Sequence, residues 1–211
     1  MNKAGFENSR TDPFLFYCQS NKNCLYVALY VDDGLVVGSN KTDIEEFMEM
    51  LKFHTTRGSL NNFLHMKIQQ NEEGSIAINQ EDCTMEILKR FGMAEANGVS
   101  TPIGCEESDV KEKFTAEVPY REAMYLSTVS HPDIAFAVKK AARAMEDPTV
   151  QDWNRVKRIF RYLKNMMSCG IIYKNNTVCL KLYSDAYYAG DKDTRRSTTG
   201  VVATLSHGAV S

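Results

Sequence analysis

The stretch LYVALYVDDGLVVGS, residues 25–39, sets two adjacent carboxylates, Asp32 and Asp33, between two runs of large apolar residues. Leu25–Tyr30 and Leu35–Val37 read as strands, rich in β-branched and aromatic side chains. Asp-Gly between such runs predicts a tight hairpin, because Gly34 tolerates positive φ and Asp favours turns. A chain reversal, however, needs no second acid. Like charges on neighbouring residues repel, and the repulsion grows as water is excluded. A divalent cation reverses that penalty, and paired carboxylates on a stiff hairpin suit Mg2+, which takes hard oxygen ligands. Simple turn and metal mount both stand as readings until the rest of the chain is weighed.

At 211 residues the chain can form one large domain or two small ones, each with a core. Its 43% hydrophobic and 25% charged residues are those of an ordinary soluble globular protein. A net charge of −2 excludes a global field that would attract nucleic acid, but the distribution is uneven. Asp32 to Glu49 holds six acids and one Lys, a local charge of −5, whereas Lys139 to Lys164 holds eight bases and three acids, a local charge of +5. Such segregation allows an acidic metal site and a separate polyanion surface. The six cysteines (Cys18, Cys24, Cys83, Cys105, Cys169 and Cys179) make no metal-ligand spacing and read as reduced thiols. No signal peptide and no membrane-length apolar run is present, so the expectation is an intracellular chain, cytoplasmic or nuclear, not secreted and with no membrane partner. Both ends read as cut through continuing structure.

Beyond the hairpin, Thr42 and Glu45 form a capping box ahead of Ile44, Phe47, Met48 and Leu51, which recur at helical spacing. Leu64, Met66 and Ile68 alternate with polar residues and predict a half-buried strand. NEEG, residues 71–74, turns the chain into Ile76 and Ile78, a second hairpin. A helix from about Glu81 stops at Gly92. Ser100–Glu117 is polar and mostly acidic, and is the best candidate connector. Beyond Pro119 the pattern turns helical, with Pro132 at a helix start, Asp147-Pro148 ending the run, and Thr149 with Asp152 able to cap the next helix. In the next helix Trp153, Val156, Ile159, Phe160, Leu163, Met166 and Met167 cover one arc. Arg155, Lys157, Arg158, Arg161 and Lys164 cover the other, read equally as a solvated face or as a line of phosphate contacts. Two strands come next, Cys169–Tyr173 and Val178–Tyr183, joined by an Asn-Asn turn and leading to Asp185.

Several stretches together resemble the Pol polyprotein of copia-type LTR retrotransposons. ALYVDDGLVVGS is similar to that family's reverse-transcriptase signature, the Tyr-Val-Asp-Asp hairpin of the palm. GSLNNFLHMKI is similar to the segment that helps hold the primer end, which places Phe63, Leu64, His65 and Met66 in a primer-grip-like element. VSTPIG, SHPDIAFAV and DWNRVKRIFRYLKNM resemble thumb and connecting helices, and LYSDAYYAGDKDTRRSTTG resembles the opening of the attached RNase H domain. The resemblance implies an α+β protein: a palm-type antiparallel sheet with helices, a helical thumb and connection, and the first strands of an RNase H-like sheet. It divides the chain into 1–70 (end of the palm with the primer-grip-like hairpin), 71–117 (thumb-like hairpin, helix and acidic connector), 118–168 (helical thumb and connection) and 169–211 (start of RNase H). It makes Asp32, Asp33 and Asp185 catalytic, metal-binding carboxylates with Mg2+ as cofactor. Arg155, Lys157, Arg158, Arg161 and Lys164 become nucleic-acid contacts. The implied partners are an RNA/DNA primer–template hybrid and the remainder of the Pol polyprotein; the oligomeric state is left open.

The departures from that pattern shape the expected activity. The family's further palm Asp would precede Met1, and its later RNase H acids would come after Ser211. His65 stands where the family has Gly, and Tyr187 and Tyr188 replace its second Asp and Trp. The segment YREAMYLSTVS lacks about four residues, one helical turn plus ~40°, so a shortened helix is expected. The functional expectation is a reverse-transcriptase segment with the beginning of RNase H, inactive alone. A non-catalytic nucleic-acid-binding remnant and the non-functional product of a decayed element are the alternatives.

Overall fold

A computed structural model describes residues 5–20, 23–51, 56–58, 60, 63–104, 112–116, 118–175, 178–190 and 195–210. The described chain is α+β, with five α-helices and three antiparallel sheets. It divides into two compact units, Met1–Leu64 and His65–Ser211.

In the first unit, β1 (Glu7–Asn8), β2 (Leu15–Ser20), β3 (Asn23–Tyr30) and β4 (Asp33–Gly38) form one sheet in chain order. Alternation along β3 sends Leu25, Val27 and Leu29 to one face. There they meet Phe16 and Val36 of the neighbouring strands, Phe6, and the apolar side of α1 (Lys41–Leu51), which contributes Ile44, Phe47 and Leu51. Phe6 and Phe47 lie with ring centroids 5.0 Å apart. The cap of α1 differs from the expected Thr42–Glu45 box. Asn40 receives the Thr42 amide on its side-chain oxygen at 3.0 Å, so the helix begins two residues earlier, at a residue type strongly favoured for that role.

Leu64 and His65 have φ of 51° and 56°, and the strand expected from Leu64 begins instead at Lys67. There β5 (Lys67–Gln70) pairs with β6 (Ile76–Asn79), and β6 pairs with β7 (Gly170–Tyr173). The sequence pattern joins β7 to the last strands of the chain, but its hydrogen bonds tie it to β6. Residue 176 of the expected Asn-Asn turn lies outside the described residues. Next come α2 (Glu81–Arg90), α3 (Tyr120–Val129), a 3-10 turn (Pro132–Ile134), α4 (Ala135–Ala142) and α5 (Val150–Asn165).

Helix α2 ends as expected at Gly92, whose φ is 66°. The Met93 amide reaches the Leu88 carbonyl at 2.7 Å and the Gly92 amide the Lys89 carbonyl at 3.1 Å, the paired bonds of a Schellman ending. At the start of α5 Thr149 and Asp152 complete a reciprocal capping box. These helices share one core, with Leu88, Leu126, Ile134, Val156, Phe160 and Leu163 wholly buried. Trp153 sits at its margin, stacked on Phe114 with centroids 5.7 Å apart. Helix α3 is short, ten residues, and still buries Tyr120, Ala123 and Leu126. The connector segment around Ser100 is no free linker: Phe114 and Glu112 bond to the backbone at Pro148 and Val150, ahead of and within the first turn of α5. Residues 105–111 and 117 of that stretch lie outside the described residues. The chain ends in a third sheet, β8 (Leu180–Tyr187), β9 (Thr198–Leu205) and β10 (Gly208–Ala209), in the order β10-β9-β8.

Candidate functional site

The β3–β4 hairpin closes tightly. Tyr30 pairs with Asp33, leaving Val31 and Asp32 as a two-residue turn. The expected turn residues, Asp33 and Gly34, lie inside β4 instead. Packing decides this register. It sets Val27 against Val36 and Leu25 against Gly38 on the face that α1 covers, and one slipped residue would turn these side chains outward. Gly34 therefore provides room rather than positive φ: a Cβ there would lie 3.3 Å from Leu29 Cδ2. The strain moves to Val31, a β-branched residue at φ 51°, 89% exposed.

Asp32 and Asp33 are both exposed at this tip. Asp33 shares the sheet face opposite α1 with Leu35 and Val37. In register with them stand Tyr26 between Tyr17 and Val37, Ala28 between Leu15 and Leu35, and Tyr30 beside Asp33. Among the described residues of the first unit nothing covers this face, and Tyr26, Tyr30 and Val37 are about half exposed. The Tyr17 hydroxyl donates to Glu7 Oε2 at 2.8 Å, and that bond raises the phenol above its ordinary pKa. Sequence reasoning missed this aromatic face, because β2 was not read as a strand. The signal was present in the alternation of Tyr26, Ala28 and Tyr30 with Leu25, Val27 and Leu29. Two carboxylates supply part of an Mg2+ donor set. Among the described residues no three His, Cys, Asp or Glu side chains gather as a metal group, so the donors present do not by themselves enclose an ion.

In the predicted primer-grip-like element, Phe63 and Met66 flank the Leu64–His65 turn, and His65 is exposed with the left-handed φ that favours glycine. Residues 59, 61 and 62 of that element lie outside the described residues. On α5 the cationic arc is turned inward upon its own chain. Arg161 Nε donates to the Asn97 carbonyl at 2.7 Å, Arg158 Nη2 to Thr101 Oγ1 at 2.8 Å, and Lys164 Nζ to the Ala94 carbonyl. Arg155 pairs with Asp152 at 2.6 Å, and Lys157 lies over the Trp153 ring. The arc thus fastens residues 94–101 along the helix. The two arginines do so through neutral oxygens, which leaves their charge uncompensated by these bonds. With Lys140 they line an open cleft of about 640 Å³.

Asp185 lies inside β8, opposite Gly200, on a strand exposed along its length. Tyr187 packs its ring against Gly190, while Tyr188 is 88% exposed. Asp191 to Thr194, in the loop after it, lie outside the described residues. A polar cluster that the sequence pattern does not single out sits among the helices. Tyr162 donates to Asp133 Oδ2 at 2.6 Å, and His131 Nδ1 lies 3.4 Å from Asp133 Oδ1. Burial opposes the charged form of Asp133, but the bonds from His131 and Tyr162 outweigh it and hold its carboxyl below the usual range. The Asp133 bond pushes the Tyr162 phenol up to about 12.

Against known proteins, residues 1–105 match the family described as reverse transcriptase (RNA-dependent DNA polymerase). The chain is 32% identical over 233 residues to the retrovirus-related Pol polyprotein from transposon TNT 1-94 of Nicotiana tabacum, covering 100% of this chain and 17% of that protein. It is 33% identical over 218 residues to the corresponding polyprotein from transposon RE1 of Arabidopsis thaliana, covering 98% of this chain and 15% of that protein. An uncharacterized mitochondrial protein of Arabidopsis thaliana is 31% identical over 189 residues, 83% of this chain and 77% of that protein. The chain therefore spans less than a fifth of the length of the transposon polyproteins it matches. No solved structure matches it significantly.

Proposed function

The chain belongs to the reverse transcriptase family of copia-type retrotransposon Pol polyproteins, and from that premise we propose that it is a palm, thumb and early RNase H segment that does not polymerise alone. The observation that carries this reading is the hairpin tip. Asp32 stands exposed in the two-residue turn and Asp33 beside it at the start of β4, next to an open face bearing Tyr17, Tyr26 and Tyr30. Exposed carboxylates on a stiff hairpin suit a metal-facing role, with Asp32 as the direct ligand and Asp33 as its secondary partner. Aromatic and apolar side chains on the adjoining face suit stacking and van der Waals contact with a nucleic acid.

When bound, two Mg2+ ions supply activation of a primer hydroxyl and stabilisation of leaving pyrophosphate. The residues of this chain contribute acceptor oxygens at Asp32 and Asp33 and a surface that positions the primer–template hybrid. Phe63–Met66 serve as the primer-grip-like turn, and the remainder of the Pol polyprotein supplies the further acids. Asp185 serves as the first RNase H carboxylate. Arg155, Lys157, Arg158, Arg161 and Lys164 reach phosphate, the last three with the donors left over from holding residues 94–101, a reading favoured by the uncompensated charge of Arg158 and Arg161.

The test is fluorescence anisotropy with an RNA/DNA primer–template hybrid across a salt series, beside a primer-extension assay with Mg2+. The expected result is salt-dependent binding, weakened by Tyr26→Ala, with no extension and no RNA cleavage. Extension by the chain alone that is lost in Asp32→Asn would overturn the proposed inactivity. Absence of hybrid binding at low salt would overturn the nucleic-acid reading.

A further inference from the structure

Arg158 and Arg161 lie three positions apart on α5, so their side chains leave the helix as neighbours. With Lys140 of α4 they line the cleft beside that helix, and no carboxylate lines it among the described residues. Both guanidinium groups are held from the segment that runs along α5. Arg161 Nε donates to the Asn97 carbonyl at 2.7 Å, and the Val99 amide donates back to the Arg161 carbonyl at 3.3 Å. Arg158 Nη2 donates to Thr101 Oγ1 at 2.8 Å. Thr101 Oγ1 in turn donates its own proton to the Ile103 carbonyl at 3.1 Å, which leaves a lone pair for Arg158.

A second observation falls on the same group. A Cβ at Gly104 would lie 3.3 Å from Arg158 Cζ and Nε, so the backbone closes over the guanidinium. Arg158 Nε is buried and, among the described residues, has no hydrogen-bond partner. A donor stripped of water and left unpaired costs stability, and a contact made only to fasten a strap would avoid that cost. What the arrangement gains is a guanidinium kept in one place, with Nη1 outside these bonds.

We propose that Thr101 is a positioning residue for phosphate recognition: its hydroxyl holds Arg158 beside Arg161 so that both present their remaining donors to a phosphodiester group of a bound nucleic acid at the cleft. The proposal rests on the phosphate-contact reading of α5 and adds to it an uncharged residue 57 positions from Arg158. A guanidinium already held loses less rotamer freedom on meeting phosphate, so the hydroxyl strengthens binding without adding charge.

Fluorescence anisotropy of the full chain with an RNA/DNA hybrid over a salt series separates orientation from charge. Thr101→Val removes the acceptor and is expected to weaken binding about three- to tenfold, with the slope of log affinity against log salt unchanged. Thr101→Ser keeps the acceptor and restores wild-type affinity. Arg158→Gln lowers the slope by about one, and in that background Thr101→Val has no further effect. Thr101 is exposed, and circular dichroism checks that each variant folds; Thr101→Ala repeats the comparison if the valine variant does not. Wild-type affinity in Thr101→Val, an equal loss with Arg158→Gln already present, or a wild-type salt slope in Arg158→Gln overturns the proposal and leaves hybrid binding itself standing. A wild-type chain that binds no hybrid at low salt overturns both.

Discussion

The β3–β4 and β8–β9 hairpins are alike in sequence terms and unlike in what surrounds them. Each is a pair of strands rich in apolar residues, and each carries a carboxylate assigned to metal chemistry by resemblance. In the first, Leu25 and Val27 are buried under Phe47 of α1, and only the opposite face is open. In the second, Leu182, Tyr183, Val201 and Val202 are exposed on both faces. A covered face fixes register, because a slip would expose the whole apolar set, whereas β8, exposed along its length, is held in register by its ladder to β9. Asp32 and Asp33 are therefore positioned by a core some distance below them. Asp185 is positioned by cross-strand pairing with β9.

Substitutions at matched positions of the two hairpins test this contrast. The largest expected effect is at the covering helix: Phe47→Ala removes a buried aromatic ring and should destabilise the first unit by about 3 kcal/mol. Leu182→Ala, a comparable deletion on the uncovered hairpin, should stay within about 0.5 kcal/mol. Urea unfolding of the full chain, fitted for each unit, measures both, and equal losses would remove the distinction.

A smaller effect distinguishes two strand glycines. A Cβ at Gly38 would come within 2.9 Å of both Ile44 Cγ1 and Leu25 Cδ1, whereas one at Gly200 meets nothing within 4 Å. Gly38→Ala should therefore cost about 1–2 kcal/mol through overpacking, and Gly200→Ala should be neutral or slightly stabilising. Thermal melts of the two variants decide this; a neutral Gly38→Ala would mean that α1 does not press on the sheet.

The smallest effect runs the other way. Val31 and His65 hold φ of 51° and 56°, which glycine adopts without penalty. Val31→Gly and His65→Gly should each raise stability by about 0.5 kcal/mol, the relief of backbone strain less the extra entropy that glycine gives the unfolded chain. If Val31→Gly instead destabilises, the strain ascribed to the turn beside Asp32 is not there.

Much of the helical part was legible in the residues themselves. Thr149 and Asp152 marked the start of α5, its apolar arc named the buried face, and Gly92 marked the end of α2. Each of these signals acts within about one or two turns of helix, where spacing alone sets the geometry. The candidate site was legible in part. The hairpin and its two acids were plain, but the turn was placed at Asp32-Asp33-Gly34 rather than Val31-Asp32. The cationic arc of α5 was read as a free surface, although Arg158, Arg161 and Lys164 reach residues 94–101, more than fifty positions away. No local pattern announces such a partner. The pairing of β7 with β6 was hidden for the same reason, since ninety-odd residues separate the paired strands.

The residues alone settle the β3–β4 hairpin with its two acids, the helices α2 and α5, and the family to which the acids at 32 and 33 belong. Those choices rest on caps, periodicities and motif spacing, all satisfied between near neighbours. Only the tertiary structure decided which residues form the hairpin turn, which face of each sheet is covered, and which cations are already engaged. Those outcomes come from burial between segments distant in the chain, where the free energy of removing apolar area from water outweighs the local preference of an Asp-Gly pair for the turn.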